Sequence, residues 1–140
     1  MGALNTSPAA SAGSVTLGSG STLSKTGTGT LHLTGAGSGP ATVSAGAGTF
    51  KVAGAQGFNE GFFTNNDSVN YTVAAGATLE VAANYNTCSN NGVTLNGGTL
   101  HFSTAGSDNY LNSITFNTGT STITSVGGFR ADISTLRPPP

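Results

Sequence analysis

Apolar and polar residues alternate in short runs along this chain, and one run recurs. Alternation with a period of two over four or five residues predicts a β-strand with one buried face. In the first run, Leu31 and Leu33 are expected to point inward, and Thr30 and His32 outward. The runs read small, threonine, apolar, polar, apolar at Gly29–Leu33, Gly48–Val52, Ala77–Val81 and Gly98–Phe102, with a weaker fifth at Thr120–Thr124.

A second series of runs, each with a central threonine between apolar residues, precedes the first series. Short segments rich in glycine or alanine separate the two, and they are too short for the helix that a parallel crossover usually contains. Such segments could close a hairpin or form the corner of a β-solenoid. The second series comprises Ser14–Gly18, Ala41–Ala45, Asn70–Ala74, Gly92–Asn96 and Ser113–Asn117.

The spacing of the runs favours the solenoid. Successive runs of the first series start about 20 residues apart, except for one longer step between the second and the third. A repeat near this length with two strands is typical of one coil of a solenoid, whereas a β-sandwich of hairpins would have strands that differ from one another. We therefore predict an all-β fold, a single right-handed parallel β-helix with coils of about 20 residues. Residues 1–13 would form an N-terminal arm or cap, residues 14–128 the coils, and residues 129–140 an exposed tail.

The composition and charge of the chain argue against several classes of function. The chain has 22 glycines, four Lys and Arg residues, five Asp and Glu residues and a net charge of −1. Nucleic-acid binding is not expected, because its affinity comes from neutralised phosphates. No apolar run approaches the roughly 20 residues of a membrane helix, so no membrane-spanning segment is expected. The start of the chain lacks the basic and apolar regions of a signal peptide. Acidic and basic residues are scattered, without a catalytic or metal-binding motif, so we predict no enzyme activity and no cofactor.

Several segments resemble the β-strand repeat of bacterial autotransporter passenger domains. They read "LSKTGTGTLHLTG", "ATVSAGAGTFKVAG", "YTVAAGATLEVAA" and "VTLNGGTLHF", and the resemblance covers about Leu23 to Thr124. It implies a right-handed parallel β-helix on the bacterial cell surface or in the extracellular space.

The longer step, from Gly48 to Ala77, points to an insertion at residues 53–68. Long loops on regular scaffolds often carry binding, and aromatic side chains can stack on sugars or pack against a protein. The candidate partner-binding residues here are Phe58, Glu60, Phe62 and Phe63. The alternative is that these phenylalanines cover an open side of the core. Glu60 and Asp67 could supply a pair of carboxylates, but nothing else in the sequence supports a hydrolase.

Stacking the coils predicts columns of outward side chains. In one column Lys51 and Glu80 are neighbours of opposite charge, while His32 and His101 lie three coils apart, roughly 14 Å at the usual strand spacing, which is too far to share a metal ion. A column of threonines resembles the ice-binding faces of some antifreeze proteins, although the column beside it is mixed. The threonine column comprises Thr16, Thr42, Thr72, Thr94 and Thr115.

Two further features are predicted to be structural. Asn91 and Asn112 precede Val93 and Ile114 by two residues, and inward-facing asparagines at this position could form a ladder. Cys88 is the only cysteine, which excludes a disulfide framework within the chain. It lies in an expected turn and is predicted to be a buried or idle thiol, with a linkage site as the alternative.

We predict a non-catalytic extracellular structural or adhesive segment of an autotransporter-like surface protein. Its expected partners are further copies of itself, through the solenoid ends, or a glycan or protein of a host or cell surface. The alternatives are a filament subunit that stacks end to end, a carbohydrate-binding or carbohydrate-active β-helix, and an ice-binding protein.

Overall fold

A computed structural model describes most of the chain and shows strands without helices in that part. The described residues are 2–5, 10–12, 15–33, 37–38, 41–52, 69–82, 86–104, 108–127 and 130–138. In chain order the strands are β1 (Gly2–Asn5), β2 (Ala10–Ala12), β3 (Val15–Thr16), β4 (Thr22–Thr26), β5 (Thr30–Leu33), β6 (Gly37–Ser38), β7 (Ala41–Ala45), β8 (Thr49–Val52), β9 (Val69–Ala74), β10 (Thr78–Val81), β11 (Asn86–Asn96), β12 (Thr99–Phe102), β13 (Asp108–Phe116), β14 (Thr122–Ser125) and β15 (Arg130–Arg137).

The chain passes alternately between two parallel sheets. Sheet A has seven strands in the order β1-β4-β7-β9-β11-β13-β15, and sheet B has six in the order β2-β5-β8-β10-β12-β14. Each strand inside sheets A and B therefore pairs with the strand one coil earlier and the strand one coil later. This winding confirms the all-β class and the parallel β-solenoid, and it rules out the sandwich of hairpins for the described strands.

The register of sheet B confirms the repeat read from the sequence. Leu31 pairs with Phe50, Phe50 with Leu79, and Leu79 with Leu100. The apolar position after each threonine therefore forms one continuous column, and the long step of the sequence falls between Phe50 and Leu79. The last step is one position longer than the sequence alignment suggests, because Leu100 pairs with Ile123.

The core lies between the two sheets. In β5, β7, β8, β9, β10 and β12 the inward residues are apolar and almost fully buried, among them Leu79, Leu100 and Val73. The rings of Phe50 in sheet B and Tyr71 in sheet A lie 6.5 Å apart between centroids, at an angle of 59°. This contact joins the two sheets into one hydrophobic core, since aromatic pairs are most favourable at such separations and tilts.

A glycine with positive φ stands between the sheet A strand and the sheet B strand in five successive coils: Gly27, Gly48, Gly76, Gly97 and Gly119. At Gly48 a β-carbon would lie 2.4 Å from the carbonyl oxygen of Gly29 in the preceding coil. Gly76 has a φ of 76° but no atom within 4 Å of such a β-carbon. The corner of Gly48 therefore needs glycine for two reasons, conformation and space, whereas that of Gly76 needs it for conformation alone.

The strand ladder differs from the prediction near both ends. Ser14–Gly18 does not lead the second series, because its strand β3 pairs with β6 in a separate two-stranded sheet. The strand that precedes Ala41–Ala45 in sheet A is β4, in which Leu23 pairs with Val43. The strand ladder also extends into the expected arm and tail, where β1 pairs with β4 and β15 with β13. Alternation within the short Thr22–Thr26 strand was hidden by its lysine and serine.

Candidate functional site

The insertion predicted to bind a partner starts and ends on stacked strands. Strand β8 ends at Val52, whose carbonyl accepts a hydrogen bond of 2.8 Å from the N–H of Ala82. Strand β9 starts at Val69, which pairs with Ala41 in sheet A. The chain therefore leaves one sheet and returns to the other at defined points of the ladder. The predicted binding residues Phe58, Glu60, Phe62 and Phe63 lie outside the described residues.

The predicted column of charged and imidazole side chains is confirmed on the outer face of sheet B. His32 pairs with Lys51, Lys51 with Glu80, and Glu80 with His101. The Lys51 Nζ lies 2.7 Å from Glu80 Oε1 in an ion pair. His101 Nδ1 and Thr124 Oγ1, one coil further along, are 2.7 Å apart and form a hydrogen bond.

The pKa of Glu80 reflects this column. Burial raises the pKa by removing water from the carboxylate, but hydrogen bonds from Lys51 and Ser103 and the positive charges of Lys51 and His101 lower it by more. The net effect is a pKa below the ordinary value of 4.5. The carboxylate is therefore ionised at neutral pH, and it links its neighbours along the ladder.

The two histidines of the column are three pairing steps apart, as predicted. Among the described residues, no group of three or more His, Cys, Asp and Glu side chains could hold a metal ion. The Nε2 atom of His32 is buried and has no hydrogen-bond partner. His32 therefore belongs to the packed outer surface of sheet B.

The predicted threonine column is only partly correct. Thr72, Thr94 and Thr115 pair in succession, but Thr42 pairs with Asn70, two residues out of the predicted register. Thr16 lies on β3, outside sheet A. The sequence does not reveal this shift, because the insertion lies between Ala41–Ala45 and Asn70–Ala74. Its length does not fix the register of these two strands to better than two residues. The column that contains Thr72 comprises Ser24, Ser44, Thr72, Thr94 and Thr115.

On strands β4, β7, β9, β11 and β13, the outer face of sheet A is a neutral surface of small polar groups. On the next strand, β15, Arg137 pairs with Thr115. Beside the column that contains Thr72 runs a second one, two residues earlier in each strand, that comprises Thr22, Thr42, Asn70, Gly92 and Ser113. Together the two columns carry hydroxyl and amide groups on five successive strands without a charged residue. We call this surface the polar face of sheet A.

Two smaller predictions are wrong. Asn112 is exposed, so it does not face inward in a ladder with Asn91. A pair of asparagines does form at another place, where Asn117 Nδ2 donates to Asn96 Oδ1 at 2.9 Å. Cys88 lies within strand β11, where it pairs with Leu111, and not in a turn.

Sequence reasoning missed the buried Lys25. Its position in sheet A pairs with Ala45, and its side chain has no exposed surface. The Nζ donates to the carbonyl oxygens of Gly27 and Ala47 at 2.8 Å each, and to that of Thr26 at 3.4 Å. Residues two apart in a strand share a face, so Lys25 lies on the same face as Leu23, but a lysine at that position does not mark an inward residue by its hydropathy.

Burial lowers the pKa of Lys25 from its ordinary value of 10.5, because the ammonium loses water. An ammonium has three N–H donors, and three backbone oxygens face it here. Ala47 belongs to the next coil, so Lys25 joins two stacked corners through a polar contact. Its column is otherwise apolar, with Leu4 and Ala45 as its neighbours. This is a structural role.

Comparison with known proteins gives no relative: no family model, no curated protein and no solved structure matches the chain. In the part of the chain that the structure describes, no helix is long and apolar enough to cross a membrane.

Proposed function

We propose that the chain is a non-catalytic structural and adhesive β-solenoid segment of an extracellular, autotransporter-like surface protein. The observation that supports this most directly is the continuous parallel stacking of sheets A and B around one core. Its register is interrupted in the pairing of β11 with β13, between Cys88 and Gly92. Such a stack resists bending because each coil is fixed by its neighbours on both sides. It suits a stalk that holds a binding segment away from a cell surface.

The binding segment in this proposal is the insertion at residues 53–68. Val52 and Val69 on either side of it are both almost fully buried, so the segment is attached to rigid strands. Its aromatic residues could contact a glycan or a protein of a host or cell surface. The neighbouring coils do not need the insertion, since they make shorter steps in sheet B, for example from Leu79 to Leu100.

The test is adhesion of the chain to host cells or to immobilised glycans. Replacing residues 53–68 with a linker of about seven glycines and serines, so that the coil length becomes close to that of its neighbours, should abolish adhesion. The circular dichroism spectrum should remain that of a β-protein. A chain with Phe58→Ser, Phe62→Ser and Phe63→Ser keeps the length and should lose adhesion as well. Unchanged adhesion in both would contradict the proposal.

The polar face of sheet A favours a second candidate, ice binding. Its two neutral columns together place hydroxyl and amide groups on five successive strands, about 4.8 Å apart, although Gly92 interrupts the second column. Thermal hysteresis of the purified chain would test this candidate. Thr94→Lys in the centre of this face should abolish the hysteresis, while Thr99→Lys on the outer face of sheet B should preserve it. Absence of hysteresis in the unmodified chain would contradict this candidate.

A further inference from the structure

The chain contains two Asn-Gly pairs, Asn91-Gly92 and Asn96-Gly97. The first lies within strand β11 and the second at its end. In such a pair the backbone nitrogen of the glycine can attack the side-chain amide of the asparagine, because glycine has no β-carbon to hinder the approach. The two groups must be able to come together in the right geometry. The reaction in a folded protein therefore depends on what holds the glycine nitrogen.

Gly92 lies inside the strand ladder of sheet A. It pairs with Asn70 in β9 and with Ser113 in β13, and it is buried. A β-carbon on Gly92 would lie 2.9 Å from Asn70 Oδ1 and 3.0 Å from Ser113 Oγ, so side chains of both neighbouring strands pack over it. Attack on the amide of Asn91 would draw the Gly92 nitrogen out of this ladder. The fold therefore protects the first pair.

Gly97 has different surroundings, because it lies at a corner directly after the last residue of β11. Its φ is 80°, and its backbone contact with Ala74 is an isolated bridge outside the named strands. The N–H of Gly97 donates to the hydroxyl oxygen of Ser121 at 3.1 Å. A side-chain hydroxyl can follow a small movement of this nitrogen by rotating. The corner therefore leaves the nitrogen of the second pair freer to move than that of the first.

A hydrogen bond polarises the side-chain amide of Asn96. Its Oδ1 accepts from Asn117 Nδ2 at 2.9 Å. A donor at this oxygen stabilises the negative charge that develops there when a nucleophile attacks the amide carbon. The hydrogen bond lies on the surface of the protein, so water can reach the amide. The corner thus combines an accessible nucleophile, a polarised amide and water.

We propose that Asn96-Gly97 is a site of spontaneous deamidation in the folded chain. The Gly97 nitrogen loses its proton to solvent, past the Ser121 hydroxyl, and forms a bond with Asn96 Cγ. The bond between Cγ and Nδ2 breaks, and Nδ2 takes a proton from solvent and leaves as ammonia. A cyclic succinimide remains. Water then opens the ring at either carbonyl, which yields aspartate or isoaspartate at position 96.

The reaction changes the charge beside the polar face of sheet A. Asn96 lies two residues after Thr94 in the same strand, so the two side chains share a face. A carboxylate at position 96 would still accept from Asn117 Nδ2, and it accepts more strongly than an amide. One added negative charge takes the net charge of the chain from −1 to −2. The aspartate product is therefore an acidic form of the same solenoid.

The test incubates the purified full chain in a mildly alkaline buffer and follows both pairs by proteolysis and mass spectrometry. In the folded chain, Asn96 should deamidate at least about tenfold faster than Asn91. In urea, where only the sequence around each pair matters, the two rates should agree within about threefold. The proposal is wrong if Asn96 reacts no faster than Asn91 in the folded chain. This comparison needs no variant, so it stands even if a substitution disturbs the corner.

The matched variant is Asn117→Asp, which keeps the size of the side chain and removes its donor. It should slow deamidation of Asn96 at least about fivefold in the folded chain and by less than about twofold in urea. Asn91→Gln is the control and should leave the rate at Asn96 within about twofold of that in the unmodified chain. A folded Asn117→Asp chain that reacts at Asn96 as fast as the unmodified chain would contradict the polarisation of this amide.

Discussion

Strands β12 and β14 are neighbours in sheet B with similar sequence patterns and different surroundings. Leu100 in β12 has no exposed surface, because strands β10 and β14 pair on its two sides. Ile123 in β14 has the same place in its own coil and is 39% exposed. A coil of this chain thus does not bury its own inward residues. The coil that follows buries them.

The first prediction sharpens this comparison by removing the two side chains in turn. Leu100→Ala should lower the free energy of unfolding by about 2–5 kcal/mol, the range for a fully buried leucine. Ile123→Ala should cost less than about 1.5 kcal/mol, since part of the side chain already contacts water. Urea denaturation of the two variants measures the difference. Equal losses would mean that β14 is covered in solution.

The second prediction compares two corners. Gly48→Ala should destabilise the protein by at least about 2 kcal/mol, because the positive φ of alanine is strained and its β-carbon would meet the backbone of the preceding coil. Gly76→Ala carries the same strain without the contact and should cost about 1–2 kcal/mol. Thermal unfolding of both variants measures the difference. A Gly76→Ala variant as unstable as Gly48→Ala would show that stacking does not matter at these corners.

The third prediction concerns the polar contact between two coils at Lys25. Lys25→Met should destabilise the protein by about 1–3 kcal/mol at neutral pH, because the carbonyl oxygens of Gly27 and Ala47 would lose a buried donor. Chemical denaturation measures the loss. A more stable methionine variant would mean that desolvation of the ammonium outweighs its hydrogen bonds.

The pH dependence of this variant has a definite sign. The pKa of Lys25 is lowered below 10.5 in the folded chain, so the unfolded chain binds more protons between the lowered pKa and 10.5. The stability of the unmodified chain relative to Lys25→Met should therefore rise with pH across that window. A relative stability that falls there would contradict the burial of the ammonium.

The smallest effect is expected at the charged column. Glu80→Gln should cost up to about 1 kcal/mol at neutral pH, since it removes one partly exposed ion pair. The pKa of Glu80 is lowered below 4.5 in the folded chain. The stabilisation is therefore present above 4.5 and is lost as the pH falls through the lowered folded value. Stability curves of both chains against pH, at low and high salt, test this; a difference that grows in acid would contradict it.

Sheet B could be predicted from the sequence in detail, and sheet A only in part. The run of small, threonine, apolar, polar, apolar residues sets the register of Leu31, Phe50, Leu79 and Leu100 without ambiguity. In sheet A the central threonines looked equivalent, but a shift of two residues also keeps every apolar side chain inward. Alternation with a period of two cannot distinguish these registers, which is why Thr42 was assigned to the wrong column.

The burial of Lys25 and the exposure of Ile123 in the last coil could not be predicted for a different reason. A lysine at an inward position is excluded by any rule based on hydropathy, and only the carbonyl oxygens of two stacked corners make it acceptable. The exposure of Ile123 depends on the absence of a described strand beside β14. The sequence of β14 does not signal this exposure, because Ile123 follows a threonine as Leu100 does; the departure from the pattern is Ser125 in the place of Phe102.

Hydrogen exchange of individual amides in the free chain tests the stacking of coils most directly. The amides of Thr99 in β12, Thr122 and Val126 donate to the backbone of the preceding coil, and we expect them to exchange slowly. Successive residues of a strand direct their backbone groups to opposite sides, so the amides of Ile123 and Ser125 point to the open edge. They should exchange at least tenfold faster than those of Thr122 and Val126. If Ile123 and Ser125 exchange as slowly as Thr99, the outer edge of β14 is covered, which contradicts the arrangement of the described strands of sheet B.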